Sequence, residues 1–366
     1  MALGLAFCMG GCTTGNPNGD NPNTGGTETP GNPDDGKTET PENPDENEGD
    51  EETVKNIAWY VNNGYSTLFK DPYMKNGLAV KKIDGSEGFN LNFDFSTATP
   101  SWTMAQWHSK FDLGDYQSLR YEEGGNQVEC TSKGETVNGA VKPAKIIEIN
   151  SQKGSIYMEL NAQVEYDAPR ENGEGWPHTL LSQDFSGNLV HVSELSELVM
   201  GMDYTVTMYE DCMGSTANTN LHCSQLVWYI TLQNRTKGSV GYGQYIWFGL
   251  NLWDNRMSGG VCPEYAAQDL GKEDATKAFI YQPSSEHFFA EKRMPTVGEL
   301  RSMHFDVLST AKSAFELAKQ RGYLPDTAWE DIYIGSMNFG LEVTGTYNTG
   351  VKFDTVGVYY KYLGEE

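Results

Sequence analysis

The chain predicts an all-β fold, an antiparallel β-sandwich with one packed α-helix near 307–321, and three observations carry that expectation. Apolar and polar residues alternate with period two in many short runs, those runs are separated by Gly/Asn/Asp turns, and helical periodicity is confined to one segment. The clearest alternation runs from Ser155 to Tyr166. There Ile156, Met158, Leu160, Ala162 and Val164 share one face, while Tyr157, Glu159, Asn161, Gln163 and Glu165 share the other. Gln225 to Gln233 repeats the pattern, with Leu226, Trp228, Ile230 and Leu232 inward. Further strands are expected over 78–83, 89–95, 116–122, 145–149, 189–192, 204–209, 277–281, 332–344 and 350–362. Only Val307 to Arg321 breaks the period. Leu308, Ala311, Phe315 and Ala318 recur at helical spacing, Lys319 and Arg321 lie in the last turn, Gly322 stops it and Pro325 follows.

The first fifty-odd residues read differently. Ala2 to Gly11 is a short apolar run whose small residues Gly10 and Gly11 precede Cys12, which has the form of an export signal ending in a cysteine that takes lipid. Cys8 is the weaker choice, because bulky Phe7 precedes it. From Thr13 to Lys55 there are twelve Asp/Glu against two Lys, and six of the fifteen prolines of the chain. Such a stretch cannot bury enough apolar surface to fold and stays solvated and extended. The expected organisation is a signal over 1–12, a disordered acidic tether over 13–53, and a β-sandwich domain over 54–366, with 54–135 a candidate subdomain.

Charge narrows the partners. The formal net charge of −25 leaves about −15 on the residues beyond the tether, which argues against nucleic acid, since phosphate binding needs clustered Lys and Arg. Four cysteines remain in the folded region: Cys130, Cys212, Cys223 and Cys262. They show no zinc spacing. Cys212 and Cys223 flank a turn-rich segment that a disulfide could close, and four reduced, buried thiols are the alternative. No cofactor is expected. Acidic loops such as Glu273-Asp274 leave room for calcium, without EF-hand spacing.

The richest constellation is YGQYIWFGLNLWDNR, residues 242–256. As a strand it turns Ile246, Phe248, Leu250 and Leu252 to the core and Tyr245, Trp247, Asn251 and Trp253 to the other face. Aromatic rings interleaved with amides suit a sugar, whose C–H faces pack on indole while amides meet its hydroxyls. The alternative is that this face is covered by the segment 258–300. Asp254 and Arg256 beside it read as a strand-end ion pair. A second patch is Trp176-Pro177-His178, leading into a strand and followed by Gln183. The third is the strand from Ile332, where Ser336, Asn338, Gly340, Glu342 and Thr344 share the polar face and Glu342 is the carboxylate best placed for chemistry. Glycoside hydrolysis needs two carboxylates about 5 to 10 Å apart, and no single strand supplies both. Glu342 would need Asp254, or His178, from elsewhere in the chain. No G-x-S-x-G, P-loop or GxGxxG motif is present.

Taken together, the cysteine-terminated leader, the acidic tether and the closing strands, from Asp331 through Asn338-Phe-Gly-Leu-Glu342 to Val356-Gly-Val-Tyr-Tyr360, resemble a lipid-anchored envelope protein of glycan-using, Bacteroidota-type bacteria. The folded part is similar to the jelly rolls, concanavalin-like or galactose-binding-like, of carbohydrate-binding modules and related glycanases. The resemblance implies an exported, lipid-anchored protein of the cell envelope, in the outer membrane on its periplasmic or surface face, whose partner is an oligo- or polysaccharide. The reading favoured on sequence is a carbohydrate-binding protein, with Tyr245, Trp247 and Trp253 stacking and Asn251, Gln183, Asn338 and Glu342 bonding hydroxyls. The alternatives are a glycoside hydrolase or polysaccharide lyase using Glu342, Asp254 or His178, and a structural or adhesive surface protein whose aromatic face is covered.

Overall fold

The structure is a computed structural model that describes residues 55–93, 96–122 and 124–364. The leader, Cys12 and the tether lie outside the described residues, as does Phe95 at the end of one expected strand. Among the described residues the chain forms β1 (Ser66–Thr67), β2 (Leu78–Val80), β3 (Phe89–Leu91), β4 (Trp102–Ala105), β5 (Tyr116–Tyr121), β6 (Gln127–Ser132), β7 (Gly134–Val137), β8 (Ala140–Pro143), β9 (Lys145–Asn150) and β10 (Ser155–Asn161). There follow β11 (His178–Asp184), β12 (Leu195–Asp211), β13 (Ser224–Asn234), β14 (Tyr245–Asp254), β15 (Tyr265–Gln268), β16 (Phe279–Gln282), β17 (Leu300–Asp306), β18 (Ile332–Val343) and β19 (Tyr347–Tyr362). The helices are α1 (Ile57–Asn62), α2 (Ser285–Phe288) and α3 (Leu308–Gln320).

Two large sheets make the sandwich. The back sheet runs β17-β12-β19-β10-β9-β6-β5 with β1 beside β19, and the front sheet runs β15-β16-β14-β13-β18-β11-β4-β2-β3. Pairing is antiparallel except for β14 with β16 and β2 with β4. Strands β2 to β4 join the front sheet and β5 and β6 the back one, so the described residues from 55 to 135 contribute to both sheets of one compact unit.

The alternation seen in the sequence decides which side chains fill the space between them. Leu226, Trp228 and Ile230 of β13, Phe248 and Leu250 of β14, and Phe339 and Leu341 of β18 meet Met158, Leu160, Met200, Val351 and Phe353 of the back sheet. Phe339 and Phe353 touch across the gap, ring centroids 5.1 Å apart. Helix α3 ends as expected, with Arg321 as cap and Gly322 at φ +85°, and it buries Ala311, Ala314, Phe315 and Ala318.

Some expectations fail for local reasons. Segment 189–192 is no strand. His191 makes a single bridge to Tyr333, and a 3-10 turn follows at Val192–Glu194. The run from Ser155 leaves the sheet at Asn161, yet Ala162 and Val164 stay buried in a 3-10 turn. Strand β17 went unexpected because one of its inward positions is Arg301, which is buried and paired to Glu299 at 2.8 Å. Cys212 is a free thiol, so no disulfide joins it to Cys223.

Phe315 anchors α3 and tilts against Trp329 at 5.4 Å. Phe315→Ala is expected to lower unfolding free energy by about 3–5 kcal/mol, read from urea denaturation followed by tryptophan fluorescence.

Candidate functional site

The front sheet places a polar row across four strands. Register sets His178 of β11 opposite Glu342 of β18, Glu342 opposite Gln225 of β13, and Gln225 opposite Asp254 of β14. Because Leu341 and Val343 point into the sandwich, Glu342 between them points to the opposite, outer face. The row is closed at one end by Arg256, which donates from Nε and Nη2 to the two Asp254 oxygens at 2.9 and 2.5 Å. Gln225 donates to Asp254 as well, at 2.7 Å. Asp254 is therefore fully engaged as a structural ion pair, which removes it as the partner carboxylate of Glu342.

Glu342 is enclosed. Trp176 Nε1 donates to its Oε2 at 3.2 Å, and His178 Nε2 lies 3.9 Å from the same oxygen. The Trp176 ring stacks on His178, centroids 5.6 Å apart, and carries Lys272 Nζ at 5.1 Å and the Arg170 guanidinium at 4.7 Å from its centre. Two loops, 170–176 and 269–276, form the roof. Gly173 and Lys272 make a backbone bridge, Arg170 donates to the Gly271 carbonyl at 3.3 Å, and His108 pairs with Asp274 at 3.4 Å. Glycine is required at 175, where a Cβ would fall 2.2 Å from His108 Nδ1.

Burial pushes the Glu342 carboxyl up to about 8, an effect that Lys272 and the Trp176 N–H oppose and Asp269 reinforces. Burial likewise lowers Lys272, against the pull of Asp274, Glu342 and Asp269. His108 is lowered by burial and by Lys272. At neutral pH, Glu342 is thus a neutral acid with a proton to give.

Beside this cluster the same face opens into a pocket of about 290 Å³ lined by Thr103, Ala105, Trp107, Ser182, Ser336 and Asn338, among others. Thr103 and Ser182 share a hydroxyl contact at 2.6 Å. Trp107 links pocket and cluster, its ring 6.0 Å from that of His178. Buried polar atoms without a hydrogen-bond partner gather along this face: Trp107 Nε1, Asn338 Oδ1, Asn251 Oδ1, Glu342 Oε1 and Lys272 Nζ. Leaving such groups unmet is costly.

The expected aromatic platform is not exposed. Trp247 is fully buried, donates to Thr276 Oγ1 at 3.3 Å and packs with Val227, Tyr229 and Ile280 under the segment 265–282. Tyr245 is half-buried, edge-on to it at 5.3 Å. Trp253 lies in the main core, because β13 and β14 slip register between Leu226 and Val227 and turn it inward. Asn251 keeps the outer face but is buried, its Nδ2 3.6 Å from Cys262 Sγ. Gln183 spends both amide atoms on the Lys70 backbone, at 3.0 and 2.7 Å. Of the residues expected from sequence, His178, Asn338 and Glu342 share the outer face with Asp254 and the buried Asn251. Trp107, Lys272 and Asp269 were missed, since they stand in irregular segments where no periodicity marks a face. Among the described residues no group of three or more His, Cys, Asp or Glu is placed to hold a metal. Nor is any helix there long and apolar enough to cross a membrane.

No protein-family model matches the chain, and no curated protein matches it. Solved structures do. An endoglucanase from Rhodothermus marinus is 16% identical, covering 71% of this chain and 99% of its own, at a TM-score of 0.36. A family 12 xyloglucanase from Bacillus licheniformis is 12% identical, over 67% of this chain and 97% of its own, at 0.37. A metagenome-derived family 12 endoglucanase is 15% identical, over 72% and 99%, at 0.35.

A raised carboxyl has a thermodynamic signature. Between the ordinary glutamate range and about 8, the unfolded chain ionises Glu342 while the folded one keeps it protonated, so its stabilising contribution is lost as pH rises through that window. Glu342→Gln should therefore show a melting temperature that gains on wild type from pH 5 to pH 8.5, by several degrees if the window is as wide as the shift implies. A difference that is flat with pH would place the carboxyl in the ordinary range.

Proposed function

We propose that this protein is a glycoside hydrolase acting on an oligo- or polysaccharide, with Glu342 as the proton donor. The observation that carries the reading is a neutral, enclosed carboxyl on the same outer sheet face as a pocket whose wall holds the unmet Trp107 Nε1 and Asn338 Oδ1. In the step, the Glu342 proton passes to the glycosidic oxygen as its bond to the anomeric carbon breaks. Water gives its hydroxyl to that carbon and its remaining proton to a carboxylate. Asp269 is the second buried carboxyl at the cluster, held by the Thr276 N–H and hydroxyl at 2.8 and 2.6 Å, and is the candidate for that role. His178 orients the Trp176 ring by stacking. Access to Glu342 needs the roof to lift, and the contacts that tie its two loops together are mainly polar, which suits such a motion.

The pocket by itself favours a second reading, carbohydrate binding without cleavage. A sugar hydroxyl both donates and accepts, so one ring can satisfy Trp107 Nε1 and Asn338 Oδ1 together while packing on the indole. Reducing-end release from a panel of soluble polysaccharides, with affinity electrophoresis on the same panel, separates the two. Cleavage that falls about 100-fold or more in Glu342→Gln, with retardation intact, supports hydrolysis. Retardation lost in Trp107→Ala, with no cleavage by wild type, supports binding alone. Neither activity on any glycan sinks both.

The export and lipid-anchor reading rests on the leader through Cys12. Metabolic labelling with a radioactive fatty acid is expected to mark the wild type and not Cys12→Ala, and the variant is expected to leave the membrane fraction.

A further inference from the structure

We propose that Lys272 is the positioning residue of this site, set by the loop between β15 and β16 against the Trp176 ring so that its ammonium governs whether Glu342 holds its proton. The inference rests on the reading of Glu342 as proton donor and goes beyond it by naming the group that tunes the acid.

Geometry supplies the argument. Lys272 is buried to 1% side-chain exposure, an unusual state for a lysine. Among the described residues its Nζ meets no hydrogen-bond partner, and its ion pair there, to half-exposed Asp274, is loose at 3.7 Å. Surface attachment therefore does not explain its place. What holds it is the indole of Trp176 at 5.1 Å, the same ring whose N–H is bonded to Glu342. One aromatic side chain thus fixes the acid by its edge and the base by its face. The backbone bridge between Gly173 and Lys272 ties the lysine to the loop that carries Trp176.

The charged and titratable groups around Glu342 come from five elements. His178 faces it from β11 and Tyr229 from β13. Arg170 sits behind Trp176, and Lys272, Asp269 and Asp274 come from the roof, with His108 paired to Asp274. Asp269 raises Glu342, whereas Lys272 is the first of the charges that lower it. Removing the ammonium disfavours the carboxylate and moves the acid further up. Because the lysine rides on the roof, lifting the loop and releasing the acid from its cation are one movement.

The test uses the full chain. A proton donor loses activity as pH rises past its own titration, so the alkaline limb of kcat/KM reports Glu342. Lys272→Met should move that limb to higher pH by about 1 unit, while Lys272→Arg leaves it in place. A variant that merely loosens the loop would lower the rate and leave the limb where it was. An unmoved limb in Lys272→Met overturns the proposal. If Lys272→Met does not fold, Lys272→Gln is read in the same way.

Difference infrared titration of the buried carboxyl, assigned by its loss in Glu342→Gln, gives the same answer without any substrate. Should wild type cleave no glycan, the hydrolase reading falls. The infrared midpoint then decides the lysine, supporting it if Lys272→Met shifts the midpoint upward and overturning it if the two midpoints coincide.

Discussion

A carboxyl in the middle of a central strand, roofed on its exposed side, must be paired or neutral, and that constraint organises the site. The chain contains a contrasting case that shows the choice. Glu165 is also buried, but Lys145 meets it at 2.6 Å and the backbone N–H groups of Lys110 and Phe111 bond its other oxygen. Every lone pair that matters is answered, and the pair is a strut between loop and sheet. Among the described residues Glu342 receives one indole N–H on one oxygen and no hydrogen bond on the other. A structural carboxyl would be finished in the way Glu165 is finished.

The two sheets treat their outer faces in opposite ways. On the back sheet, Gly201 of β12 stands opposite Gly357 of β19, and neither could carry a Cβ, which would fall 2.5 Å from His304 Nδ1 and 2.3 Å from Tyr359. The shallow seat they leave is filled by Tyr359 and His304. Helix α1 then seals it, Tyr60 stacking on Tyr359 at 3.8 Å and bonding His304 at 3.0 Å. On the front sheet, β18 carries Ser336, Asn338 and Glu342 outward; the first two line the pocket, and the loops 170–176 and 269–276 cover Glu342. The difference is chemical. Aromatic side chains on glycine make a permanent seal, whereas ion pairs and single backbone contacts make a cover with a low cost of opening.

How far the sequence disclosed this depends on whether a residue sits in regular structure. Strands β10, β13, β14, β18 and β19, α3, and the outward direction of Asn338 and Glu342 were legible because period two and period 3.6 hold over most of their length. Trp253 was misplaced by one register slip, which sends every later side chain to the other face and leaves no mark in the pattern of β14. Trp247 was placed on the correct face, yet its cover comes from Thr276 and Ile280, about thirty residues on. Lys272 and Trp107 were invisible for a different reason. Their roles come from where irregular loops cross, and loop crossings have no period.

Burial of the tryptophans also bears on the kind of glycan recognition that the proposed function would require of this face. A row of exposed indoles grips sugar rings by area and tolerates many of them, because every pyranose has an apolar face. Here Trp247 and Trp253 are spent on packing, and Trp107 is the indole left at the pocket wall. The remaining determinants are directional: the Thr103 and Ser182 hydroxyls, Ser336, and the unmet Asn338 oxygen. A site of this composition discriminates by hydroxyl configuration, since an epimer that misdirects one hydroxyl leaves a buried polar atom unpaired at a cost of about 1–3 kcal/mol. Under the proposed glycan reading, such a face would select one sugar at one position and place loose demands on the rest of the glycan.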